Sequence, residues 1–151
     1  MSVGTIVAVC VGNGGVPKHP VAEAKVGPDG LEGDRHRYHL HGGRDRALCL
    51  LSVDEVRSLE ADGVRVAGPG AFGENLLIDG LDFSALRAGD RLLVRADDTP
   101  IELELFDVRE PCATLRRIDR RFPDLMLGRS GFMARVLGEG TLRAELAIER
   151  P

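Results

Sequence analysis

The punctuation of this chain constrains its fold most. Short apolar runs are closed by glycine-bearing turns about every ten residues, the spacing of many short strands. Residues 5–11 are apolar, rich in valine and flanked by Gly4 and Gly12, as a buried strand requires. Gly12-Asn13-Gly14-Gly15 then forces a turn or an open loop. Residues 21–26 alternate loosely and lead into the turn Gly27-Pro28-Asp29-Gly30. Residues 47–51 form another buried run. Residues 76–78 and 91–94 adjoin Asp79-Gly80 and Gly89-Asp90. In residues 101–108, Ile101, Leu103 and Leu105 alternate with Glu102 and Glu104, the period of a half-exposed strand. Two closing strands are expected at 132–137 and 142–148, around Gly138-Glu139-Gly140. Helical signals are few. Ser52 with Glu55 has the capping-box pattern, and Val53, Val56 and Leu59 keep helical spacing until Asp62-Gly63. A second short helix fits residues 113–121. The expectation is a mainly β, compact barrel-like fold with one to three short helices, rather than a βαβ fold.

The length of 151 residues suits one domain spanning 1–151. With no Trp and one Tyr, its core must be aliphatic. A net charge of −4 argues against binding a nucleic-acid backbone. No apolar run approaches the roughly 20 residues of a membrane span. No basic segment precedes an apolar one at the N-terminus, so no signal peptide is expected. Three widely spaced cysteines fit neither a disulfide framework nor a zinc ribbon. A cytoplasmic protein with reduced thiols is the expectation.

Cys10 and Cys49 sit inside apolar runs and read as small buried hydrophobes. Cys112 differs. It follows Pro111, opens a helical segment, and has Arg109, Arg116 and Arg117 nearby. Helix N-termini and guanidinium groups favour a thiolate, although Glu110 opposes it. Cys112 is expected at the rim of a cleft, with Cys10 and Cys49 buried. The stretch from Arg35 through His36, His39 and His41 to Arg44 is the richest in polar groups. It admits a solvated loop, a histidine metal site, or an anion site built on Arg35, Arg37, Arg44 and glycine N–H groups. It is expected to converge on the same pocket as Cys112, because a barrel gathers its loops at one end. Gly73-Glu74-Asn75 reads by itself as a turn. Gly12-Asn13-Gly14-Gly15 lacks the ending of a phosphate-cradling P-loop, which excludes that nucleotide site.

The order of these motifs is more telling than any one of them. Gly14-Gly15-Val16-Pro17-Lys18 is followed by Gly30-Leu31-Glu32-Gly33-Asp34-Arg35-His36 and His41-Gly42-Gly43. Ala47-Leu48-Cys49-Leu50, Gly70-Ala71-Phe72-Gly73-Glu74-Asn75-Leu76, Arg109-Glu110-Pro111-Cys112 and Gly131-Phe132-Met133-Ala134-Arg135 come after. The series resembles the MOSC domain, named for the C-terminal part of molybdenum cofactor sulfurases, in its small stand-alone bacterial form. The resemblance implies a β-barrel-like fold and one functional cysteine, matched by Cys112. It implies the molybdenum cofactor, with Cys112 ligating the metal and N-hydroxylated compounds as substrates for reduction. Lys18, Arg35, His36, His41, Arg44, Asn75 and Arg109 are the candidate cofactor-binding residues. Alternatively, Cys112 carries sulfur as a persulfide for delivery to an acceptor, or the chain is a non-catalytic binding module. The expected partners are a small-molecule substrate or a sulfur donor or acceptor protein, with a redox partner protein besides. No pyridoxal phosphate is expected. Many relatives carry a Gly-Asp pair before the last strand, where this chain has Gly140-Thr141, which places the final hairpin in question.

Overall fold

The computed structural model describes residues 2–35 and 43–151. In chain order its strands begin with β1 (Ser2–Val11), β2 (His19–Val21), β3 (Glu23–Gly27), β4 (Gly30–Leu31) and β5 (Leu48–Ser52). The helix α1 (Val53–Ala61) follows, then β6 (Leu76–Asp79), β7 (Arg91–Val94), β8 (Ile101–Val108), β9 (Phe132–Val136), β10 (Gly140–Arg143) and β11 (Ala147–Arg150). Seven strands close a barrel in the order β1-β6-β5-β9-β8-β7-β11, and β11 returns to pair with β1. Closure removes the open edges that a flat sheet would expose. β2 extends from β1, while β10, β3 and β4 form a separate small sheet. No described helix is long and apolar enough to cross a membrane.

All barrel pairings are antiparallel except β5 with β6, which run parallel with Leu50 opposite Leu76. Parallel neighbours need a crossover, and α1 lies on it. One βαβ unit is therefore set into the barrel. The capping box that starts α1 is formed as expected: the Ser52 hydroxyl accepts from Glu55 N at 3.1 Å, and Glu55 Oε1 accepts from Ser52 N at 3.0 Å.

The barrel interior is mainly aliphatic, with Phe83 and Phe132 the aromatic members of its buried cluster. Ile6, Leu48, Leu50, Leu76, Ile78, Leu92, Val94, Ile101, Leu103 and Ile148 are all buried there. A fully buried side chain of this kind contributes about 1.5–3 kcal/mol. Along β8, Ile101, Leu103 and Leu105 point inward and Glu102 and Glu104 are half-buried, as the alternation required. A second core lies on the outer wall. Leu51 and Leu77 meet Leu59 of α1 with Phe72, Leu115, Phe122 and Met126. Phe72 and Phe122 pack edge to face, with centroids 5.8 Å apart. This second core fixes two long loops, one before β6 and one between β8 and β9, against the barrel.

Two expectations are modified. The helix expected over 113–121 is a 3-10 turn, Ala113–Arg117. Asp119 Oδ1 accepts from Arg121 N at 2.9 Å, a side-chain turn that competes with helix continuation. The single strand expected at 142–148 is split between β10, which pairs with β3, and β11, which enters the barrel. Glu145 sits at the break with φ 76°, outside the strand region.

Candidate functional site

A cleft of about 340 Å³ opens where the loop after β1, the loop before β6 and the segment after β8 meet. Gly15, Val16 and Lys18 come from the first, Gly73 and Asn75 from the second, and Arg109 to Cys112 with Thr114 from the third. Cys49 and Met133 supply the barrel wall, and Arg46 supplies a rim.

The wall beside this cleft includes a buried polar platform. The Lys18 ammonium meets Asp34 Oδ1 at 2.5 Å, with side chains only 5% and 3% exposed. The same oxygen accepts from Gly12 N at 3.0 Å. Asp34 Oδ2 accepts from Asn75 Nδ2 at 3.0 Å. Asn75 Nδ2 also donates to the Cys10 carbonyl at 3.1 Å, and Asn75 Oδ1 accepts from Cys49 N at 2.9 Å. Asn75 is 0% exposed, and its amide spans the gap between β1 and β5 just before β6 begins. The platform thus ties three chain segments together by paired groups, the condition under which buried charge is tolerated.

Arg109 stands beside it, just beyond the end of β8. Its backbone N donates to Gly131 O at 2.9 Å, and its carbonyl accepts from the Ser130 hydroxyl at 2.7 Å. Its Nη2 donates to the Phe72 carbonyl. Its Nη1 is buried and has no hydrogen-bond partner among the described residues. Close by, the buried Glu74 carboxylate accepts from Gly70 N at 2.8 Å and Phe72 N at 3.1 Å. Burial pushes the Glu74 carboxyl above its ordinary range, and those backbone donors and Arg109 partly offset this.

Cys112 is half-buried in the cleft, extended at φ −92° and ψ 147°, immediately before the 3-10 turn. Cys49 lines the same cleft but is buried, and burial pushes its thiol up. Cys10 is 0% exposed. Burial, with Glu74 adding to it, pushes its thiol up to about 12. The expected ranking of the three thiols by exposure is the one found.

The structure brings Cys112, Lys18, Asn75 and Arg109 into one cleft. Arg35 is exposed and contributes through its backbone: its carbonyl accepts from Lys18 Nζ at 3.4 Å. The Arg44 side chain is 74% exposed and lies 3.4 Å from Asp29. Neither Arg35 nor Arg44 lines the cleft. His36 and His41, with most of the polar loop, lie outside the described residues. Among the described residues no group of three or more His, Cys, Asp or Glu could hold a metal ion. Asp34, Glu74 and Arg46 were not legible as site residues. Asp34 sits next to Arg35 in sequence and reads as its local partner, whereas the ion pair it makes among the described residues is with Lys18.

A family model for the MOSC domain matches residues 37–149. The chain belongs to the MOSC domain family. It is 30% identical to the YflK protein of Bacillus subtilis over 144 residues, covering 89% of this chain and 62% of that protein. It is 32% identical to the YiiM protein of Escherichia coli over 147 residues, covering 86% of this chain and 63% of that protein. The chain thus spans less than two thirds of the length of these two relatives. The crystal structure of YiiM from Geobacillus stearothermophilus superposes with a TM-score of 0.74 at 28% identity, over 97% of this chain and 75% of that one. The YuaD protein of Bacillus subtilis shares the MOSC fold at a TM-score of 0.78 and 16% identity, over 98% and 97% of the two chains.

Proposed function

We propose that this MOSC domain binds the molybdenum cofactor in the Cys112 cleft and reduces N-hydroxylated small molecules there. One observation carries the reading: a half-buried thiol and a buried guanidinium N–H without a partner among the described residues belong to residues that line the same cleft. A buried donor left unmet costs about 1–3 kcal/mol, a cost relieved when an acceptor arrives. The cleft volume, about 340 Å³, lies within the range of small-molecule sites, roughly 300–1,000 Å³. Thiolate sulfur is a soft donor suited to a heavy transition metal.

The cofactor, when bound, supplies the two-electron redox chemistry. The chain's own residues do the rest. Cys112 offers its sulfur as a ligand from an extended backbone position. Arg109 offers Nη1 to an anionic or carbonyl oxygen, while its Nη2 stays fixed on Phe72. Lys18 and Asn75 have donors committed to Asp34, so they hold the wall in shape. The electron donor is proposed to be a separate redox partner protein.

The test is the molybdenum and pterin content of protein purified from a host that makes the cofactor. Near-stoichiometric molybdenum in the parent and its loss in Cys112→Ser support the reading. An additional sulfur atom on Cys112 in the intact mass, without molybdenum, would instead support the sulfur-carrier alternative.

A further inference from the structure

Arg46 is the cation of the cleft that no acid among the described residues balances. Lys18 is paired with Asp34, and Arg109 lies close enough to Glu74 to feel its charge. Arg46 makes no salt bridge among the described residues, and residues 36–42 contain no Asp or Glu that could provide one. Instead its guanidinium carbon sits 5.4 Å from the centre of the Phe106 ring.

That ring is placed by a bulge. On β8, Leu105 pairs with Ala134 and Asp107 with Met133, so Phe106 is an extra residue opposite no partner. Bulges re-aim side chains, and they recur beside binding sites. Arg135 also lies against this ring, at 5.0 Å, but it is tied to Asp45 at 2.7 Å and Glu104 at 2.8 Å. The ring therefore carries one neutralised guanidinium and one that, among the described residues, has no acid on its charge or its donors at the cleft rim. Among the described residues Glu110 is the only acid that lines the cleft.

We infer that Arg46 is a specificity-determining residue that docks a phosphate or carboxylate group of the substrate. The inference rests on the reading that this cleft is the active site. Position separates it from the resident group. A buried donor such as Arg109 suits a group held permanently. An exposed arginine at a rim is screened by solvent and acts on capture and selection of a ligand that comes and goes. Its planar fork matches either oxyanion, and stacking on Phe106 keeps the fork oriented.

The probe is inorganic phosphate or benzoate, read in protein produced without the cofactor by its protection of Cys112 from iodoacetamide at constant ionic strength with chloride as control. In the parent, protection should saturate. In Arg46→Gln the half-saturating concentration should rise about tenfold or more, as loss of a charge-assisted bond requires. In Phe106→Leu it should rise about two- to fivefold. Molybdenum and pterin content of Arg46→Gln should equal that of the parent. Unchanged half-saturation in Arg46→Gln, or protection no better than chloride in the parent, overturns the proposal. So does loss of pterin in step with weakened protection, which makes Arg46 an anchor of the cofactor. A parent without molybdenum or pterin overturns the reading of function, and the titration alone then decides Arg46.

Discussion

Asn75 donates to Asp34 Oδ2 at 3.0 Å while Lys18 holds the other oxygen of that carboxylate at 2.5 Å, so one buried acid fastens two distant segments beside the cleft. Removing one member of such a pair leaves the other charge buried without compensation. Asp34→Ala is expected to destabilise by about 3–5 kcal/mol. Lys18→Met should cost less than that, because Asp34 keeps the bonds from Gly12 N and Asn75. The double variant should cost clearly less than the sum of the two, the signature of coupled neighbours. Urea unfolding midpoints measure all three. Additive losses would show that the two charges do not share an interaction.

The thiols give a pH prediction. In native, cofactor-free protein Cys112 should react first with a maleimide, and Cys10 and Cys49 should react only on unfolding. The Cys10 pKa is raised to about 12 in the folded state, against about 8.5 in an unfolded chain. Below about pH 8.5 the thiol is neutral in both states and stability does not depend on it. As pH rises from there towards 12, only the unfolded chain releases the proton, and stability falls. The limiting slope is about 1.36 kcal/mol per pH unit for each such thiol. Cys49 is shifted in the same direction. Cys10→Ala should remove one thiol's share of the slope between pH 9 and 10. An identical slope in the variant would assign the alkaline loss to other groups.

The strands were legible because a glycine-marked turn needs no tertiary information, and Cys112 because Pro111 and the following turn set it apart from two thiols in apolar runs. The platform was not legible. Lys18 and Asp34 are separated by 16 positions, and Asp34 and Asn75 by 41, so a single sequence offers no reason to join them. Asp34 has a nearer cation in sequence, Arg35, and local proximity does not reveal the pairing with Lys18 that the barrel brings about. Arg46 was hidden for a different cause. Arginine makes up nearly all of the basic residues, and what separates this one from Arg135 on the same Phe106 ring is its place on the cleft, which only the fold reveals.

Two glycines with similar φ separate strain from collision. Gly89 has φ +91° and nothing within 4 Å of an added Cβ. Gly89→Ala should therefore cost only the left-handed backbone term, about 1–2 kcal/mol. Gly70 has φ +87°, and an added Cβ would fall on the Lys18 carbonyl. That carbonyl belongs to backbone that Gly70 O already holds through Lys18 N at 2.8 Å, so it has little room to retreat. Gly70→Ala should add an overpacking cost of about 1–3 kcal/mol to the same backbone term. Thermal or urea unfolding of the two variants checks the difference. Equal losses would mean that the loop before β6 moves freely.

Glu55 does more than cap α1, and its replacement distinguishes the two roles. Its Oε1 accepts from Ser52 N at 3.0 Å and from the Ser52 hydroxyl at 2.8 Å. Its Oε2 accepts from Gly131 N at 3.0 Å. The Gly131 carbonyl in turn accepts from Arg109 N at 2.9 Å. The helix cap is thereby linked to the segment that carries Arg109 and Cys112. Glutamine has one acceptor end and one donor end, so it cannot serve both partners. One of them is left facing an NH2 group. Ser52→Ala, which removes only the cap hydroxyl, should cost about 1 kcal/mol. Glu55→Gln loses a charge-assisted bond and should cost about 1.5–3 kcal/mol. The decisive measurement is the alkylation rate of Cys112 under native conditions. Glu55→Gln should raise it, because the backbone at Gly131 and Arg109 is loosened, whereas Ser52→Ala should leave it near the parent value. The rates are compared in cofactor-free protein, where the Cys112 thiol is not a metal ligand; if both variants change the rate alike, Glu55 acts through the helix alone and the link through Gly131 carries nothing to the cleft.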